Sequence, residues 1–116
     1  MRYARRALAL IWLIPIVFIV VTPANDKNAS GKDLYKQNCR VCHDKGSLHG
    51  EYSPLTLIQD QWKSFFNTKL MVTHKDVVTP GQSKKLLEAL TPEQIKLIQK
   101  FCVDHAADSE QPQTCS

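Results

Sequence analysis

The chain has 116 residues with 15 Lys and Arg against 11 Asp and Glu, a net charge of +4. Three of the arginines stand in the first six residues, and residues 25–116 carry 12 basic against 11 acidic side chains, or +1. That balance leaves no basic stripe with interleaved aromatics and excludes a nucleic-acid partner, while some 90 residues make one small domain whose core is marginal on buried area alone.

Residues 1–24 have the order of a secretory signal. Arg2, Arg5 and Arg6 are followed by 15 apolar residues, Ala7 to Val21, and then by Thr22, Pro23 and Ala24. An uncleaved membrane anchor is the alternative, although 15 residues fall short of the roughly 20 that span a bilayer. Either way the chain is expected outside the cytoplasmic membrane, in the periplasm or on the outer face of that membrane. Contact with the membrane is expected only if the segment is retained.

Residues 25–30 read as a polar linker. Ser30 followed by Asp33 signals a helix N-terminus, and Leu34, Tyr35 and Asn38 lie on neighbouring turns, so the first helix is predicted from about Gly31 to Cys42. At its end stand Cys39, Arg40, Val41, Cys42 and His43, the C-x-x-C-H attachment sequence of a c-type haem. Two thiols three positions apart can each add to one vinyl group of the same haem. The next residue, a histidine, then lies under the ring with a nitrogen for the iron. The competing readings of C-x-x-C are half a zinc site or a redox dithiol.

A loop is expected from about Asp44 to Pro54. Leu55, Ile58, Trp62, Phe65 and Phe66 then recur at helical spacing and predict a second helix over residues 56–70, with Trp62 and Phe66 facing inward. Residues 71–82 read as irregular, with a turn at Thr79-Pro80-Gly81. A short helix is predicted over 83–89. Thr91-Pro92-Glu93-Gln94 is a strong start for a last helix, with Thr91 as N-cap, Pro92 at N1 and Gln94 closing the capping box. Ile95, Ile98, Phe101 and Cys102 mark one face of that helix, which should reach about His105. No segment reads as a strand, so the fold class is all-α. If Cys39 and Cys42 hold haem, Cys102 and Cys115 remain. An even remainder in an exported chain predicts a disulfide, closing a loop worth roughly 3 kcal/mol in the chain-entropy model.

Over most of residues 31–105 the chain resembles a class I cytochrome c, a small helical domain wrapped around one covalent haem c. Gly31 before Leu34 and Tyr35 resembles the family's first helix, where the glycine lets the last helix cross closely and the aromatic packs at the crossing, here against Phe101. Pro54-Leu55, eleven residues after His43, resembles the element whose proline carbonyl accepts a hydrogen bond from the haem histidine, with Ser53 where the family has glycine. The resemblance implies a cofactor site of Cys39, Cys42, His43, Tyr35, Pro54 and Trp62, with His43 as the proximal iron ligand. The family's distal ligand is usually a methionine on the loop before the last helix. Met71 comes only 28 residues after His43 and some 20 before Thr91, and His74 fits both intervals better. His74 is therefore the first choice, Met71 the alternative, and an open site the third possibility. His49 is expected on the proximal side and His105 at the surface. The implied function is single-electron transfer between membrane-bound or periplasmic redox proteins rather than catalysis. The alternatives are a haem subunit of a larger oxidoreductase and an open-site haem protein acting on a small ligand.

Overall fold

The structure, a computed structural model, describes residues 28–113. The N-terminal apolar run with its expected cleavage site and Cys115 with its expected pairing lie outside the described residues.

Helix α1 covers residues 31–43 and begins where the sequence signals it. The Ser30 hydroxyl oxygen accepts from the Asp33 amide at 3.2 Å, and its proton goes to the Asp33 carboxylate at 2.6 Å. That hydrogen bond holds the Asp33 carboxyl below its usual range. The helix is not uniformly α. Gly31–Tyr35 is α, Lys36–Arg40 forms a π-turn, and Val41–His43 is α again. A π-turn accommodates one extra residue and so rotates the next turn by about 100° relative to an unbroken α-helix. Within it the buried Asn38 side chain donates to the Leu34 carbonyl at 2.8 Å.

A loop and a short 3-10 turn, Pro54–Thr56, lead to helix α2, residues 59–73. This helix starts and ends three residues later than the apolar spacing predicts. Leu57 and Ile58 are extended. The helix opens at Gln59 because the Gln61 side chain accepts from the Ile58 amide at 3.2 Å and the Asp108 carboxylate accepts from the Gln59 amide at 2.8 Å. At the far end the helix continues through Thr73, so Met71 is helical and not part of an irregular loop. A second π-turn, Phe65–Lys69, lies within it. A connection pinned by Leu86 N–H to the Val77 carbonyl (2.8 Å) and by a Lys85–Asp76 ion pair (2.8 Å) leads to the short helix α3, Leu86–Ala89.

Helix α4, Pro92–Asp104, is entered as predicted. The Thr91 hydroxyl accepts from the Gln94 amide at 3.2 Å, and the Gln94 side chain accepts from the Thr91 amide at 3.0 Å. Helices α1 and α4 cross at Gly31. A Cβ there would run into the Leu97 carbonyl and sit 3.1 Å from Phe101 Cβ. One turn along, the rings of Tyr35 and Phe101 pack with centroids 5.4 Å apart. The core gathers Leu34 and Tyr35 of α1, Trp62 of α2, Leu86 of α3, and Ile98, Phe101 and Cys102 of α4, with Leu90 and Ala106. Phe66 is only partly buried against it. Among the described residues the single strand-like feature is an isolated bridge between Val78 and Lys85, and the described chain is all-α. None of its helices is long and apolar enough to cross a membrane.

Candidate functional site

The C-terminal half of α1 carries Cys39, Cys42 and His43. Residues three and four apart share a helix face, which places His43 one turn beyond Cys39. Cys39 packs against the core, and Cys42 and His43 are half-buried. The next loop turns back onto the helix end. Ser47 Oγ donates to the Cys42 carbonyl, and the Tyr52 amide donates to the His43 carbonyl at 3.0 Å. Gly50 stands at φ +89°, a left-handed conformation glycine adopts freely. Its carbonyl lies 2.9 Å from His43 Nδ1. A carbonyl can only accept, so Nδ1 donates, and in the neutral ring the lone pair is then on Nε2.

This corrects one expectation. The carbonyl that holds the His43 ring is that of Gly50, not of Pro54. The Pro54 carbonyl accepts instead from Trp62 Nε1 at 2.8 Å, in a buried hydrogen bond that ties α2 to the 3-10 turn. Tyr35 braces the same loop from α1, its hydroxyl donating to the Tyr52 carbonyl at 2.6 Å. The Tyr52 ring meets the His43 ring edge-on at 5.2 Å. Tyr35, Pro54 and Trp62 thus support the segment around His43.

His74 caps the C-terminus of α2, its amide donating to the Leu70 carbonyl at 3.0 Å. Its ring centroid lies 6.1 Å from that of His43, and the Phe65 ring meets it edge-on at 6.0 Å. Burial and the nearby His43 charge lower the His74 pKa below its ordinary value. Met71, one turn earlier, is 60% exposed. The structure therefore brings His74 to His43 and leaves Met71 at the surface. His49 is exposed in the loop. His105 is half-buried rather than superficial. It stacks on Phe101 at 4.9 Å, and its Nδ1 meets the Gln111 carbonyl at 2.8 Å.

The environment of the thiols bears on their chemistry. Reactive dithiols sit at helix N-termini, where the helix dipole favours a thiolate. Here the pair lies near a C-terminus, and burial pushes the Cys39 thiol up to about 12. Among the described residues no group of three His, Cys, Asp or Glu side chains is placed to hold a metal ion, so the thiols have no companions for a tetrahedral zinc site. A haem asks for a different set: two thiols for the vinyl groups and one or two axial nitrogens. An imidazole nitrogen binds a transition metal at about 2 Å, so two axial imidazoles on one metal hold their ring centres roughly 6 Å apart. The 6.1 Å between the His43 and His74 ring centres is of that size, and Cys39, Cys42, His43 and His74 could hold such a group. The Thr79 hydroxyl, on the connection after His74, is buried without a hydrogen-bond partner among the described residues. Buried polar groups usually have one. A separate open cleft of about 220 Å³ flanks α1 between Tyr35, His43, Tyr52 and Pro54, and His74 does not line it. No family model, curated protein or solved structure matches the chain.

Proposed function

We propose that the protein is a monohaem c-type cytochrome that carries single electrons between redox partners outside the cytoplasmic membrane. The observation that supports this reading is the 6.1 Å between the ring centres of His74 and His43, the latter at the end of the helix that presents Cys39 and Cys42. Bound there, the haem supplies an iron that changes oxidation state by one electron. Cys39 and Cys42 would anchor it covalently, and His43 and His74 would each offer a nitrogen to the iron. Two strong protein ligands would leave no vacancy for a substrate and would favour electron transfer over catalysis. The Gly50 carbonyl holds the His43 ring in one orientation and raises its basicity as a ligand.

A second reading, a haem subunit of a periplasmic oxidoreductase, draws on the exposure of Val41, Met71 and Val72 at 50%, 60% and 70%. Apolar side chains left at the surface beside the haem motif and near the distal ligand suit a dedicated docking partner.

The test is mass spectrometry and absorption spectra of the full chain produced with haem-attachment machinery. One covalent haem and a low-spin spectrum in both redox states are expected. Cys39→Ala with Cys42→Ala should abolish attachment. His74→Ala should turn the iron high-spin. Met71→Ala should keep it low-spin and change stability by no more than about 0.5 kcal/mol, as for an exposed side chain. A chain without a haem adduct would end the reading. A methionine–iron charge-transfer band lost in Met71→Ala would move the distal ligand to Met71.

A further inference from the structure

Three contacts of the Thr73 hydroxyl close the end of α2. Thr73 Oγ1 lies 2.9 Å from the Lys69 carbonyl, 3.5 Å from the Leu70 carbonyl and 2.7 Å from His74 Nδ1. A threonine hydroxyl has one proton and two lone pairs. Carbonyls cannot donate, so with the hydroxyl proton on the Lys69 carbonyl the oxygen accepts from His74 when Nδ1 carries the ring proton. In that tautomer the neutral ring keeps its lone pair on Nε2. The same tautomer is set on His43 by the Gly50 carbonyl.

We infer that Thr73 is the positioning residue of the distal ligand: its hydroxyl fixes the tautomer and rotation of the His74 ring and so strengthens His74 as a donor to haem iron. The inference rests on the reading of His74 as the distal ligand. The back-bond to Lys69 makes Thr73 a rigid acceptor, because the hydroxyl is itself held by the last turn of the helix. Of the two rings that meet His74, His43 lies on the side proposed for the iron, and the edge-on Phe65 ring offers no comparable acceptor. Both histidines then bind as neutral imidazoles supported by neutral oxygens, and neither is pushed toward imidazolate.

The test compares Thr73→Val and Thr73→Ser in the full-length haem-loaded protein. Valine keeps the branched shape without the acceptor, and serine keeps the acceptor. The readouts are the reduction potential, the electron paramagnetic resonance spectrum of the ferric form, and cyanide binding, which requires His74 to leave the iron. Loss of a hydrogen-bond partner behind a metal ligand typically weakens the ligand 10–100-fold. Cyanide should therefore bind Thr73→Val tighter by roughly that factor. The potential should rise, since a weaker donor stabilises ferric iron less, and Thr73→Ser should stay near the parent. A role confined to helix stability would lower the melting temperature and leave the potential unmoved. That result, or identical cyanide affinities in the valine variant and the parent, would overturn the inference while leaving His74 as ligand. If His74→Ala stays low-spin, both the ligand and the role of Thr73 fall. If no haem is attached, the function itself falls.

Discussion

Two carbonyls four residues apart, those of Gly50 and Pro54, receive the ring N–H groups of His43 and Trp62. Gly50 can turn its carbonyl onto the histidine because φ +89° is open to glycine. Pro54 starts the 3-10 turn, and its carbonyl meets the indole that α2 brings against it. The division has a measurable consequence. Trp62→Phe keeps most of the buried apolar surface but strips the donor from a buried carbonyl. An unsatisfied buried acceptor costs about 1–3 kcal/mol, and urea unfolding of the haem-loaded protein should show a loss of that size. The visible spectrum should be unchanged, because the His43 ring hangs on Gly50. A spectrum altered by Trp62→Phe would mean that Pro54 supports the histidine after all.

At the scale of elements, the features legible in the sequence are those decided within a few residues. The Thr91–Gln94 box needs two side chains three positions apart, and α4 starts where they are. The Gly31 crossing follows from the absence of a Cβ, and the space there is as tight as the pattern implies. Gly31→Ala should therefore push α4 away from α1 and destabilise the fold by about 1–3 kcal/mol, the usual range for overpacking a close contact. A fall of a few tenths in thermal or urea unfolding would show that the crossing relaxes freely. Other features were hidden because their causes are distant or cooperative. The start of α2 depends on Asp108, 49 positions away from Gln59. The first π-turn runs into the C-x-x-C-H motif and includes Cys39, the second comes just before Met71 and His74, and neither has a residue signature. They matter because a π-turn resets the face of every later residue in its helix, so an ideal α-helix drawn from the sequence would misplace both histidines. Sequence intervals favour His74 over Met71, and they carry no information on where the two side chains lie. Met71 is helical and exposed, and His74 is at the cap where the chain turns back toward α1.

Across the described residues, charge is spread and much of it paired rather than massed. Residues 25–116 carry +1. Arg40 with Asp44, Lys63 with Asp60, Lys85 with Asp76 and Lys100 with Asp104 form exposed ion pairs within 3.4 Å. The cleft beside His43 is lined by both signs, Lys36, Arg40 and Lys45 against Asp44 and Glu51. Such a surface projects little long-range field, and steering by net charge is what gives electron carriers steep salt dependence. The apolar side chains exposed at Val41, Met71 and Val72 offer contact that salt does not screen. The second-order rate of electron exchange with a charged small-molecule reagent, measured by stopped flow, should thus change only a few-fold between ionic strengths of roughly 0.01 and 0.15 M, across which the Debye length falls from about 30 to 8 Å. The reagent should be run in cationic and anionic forms, which separates the sign of the local field from its size. A steep fall for the anionic reagent alone would reveal a positive face around the haem edge that the net charge conceals. The docking partner would then be acidic, and lysines such as Lys36, Lys45 and Lys75 would be the ones to reverse.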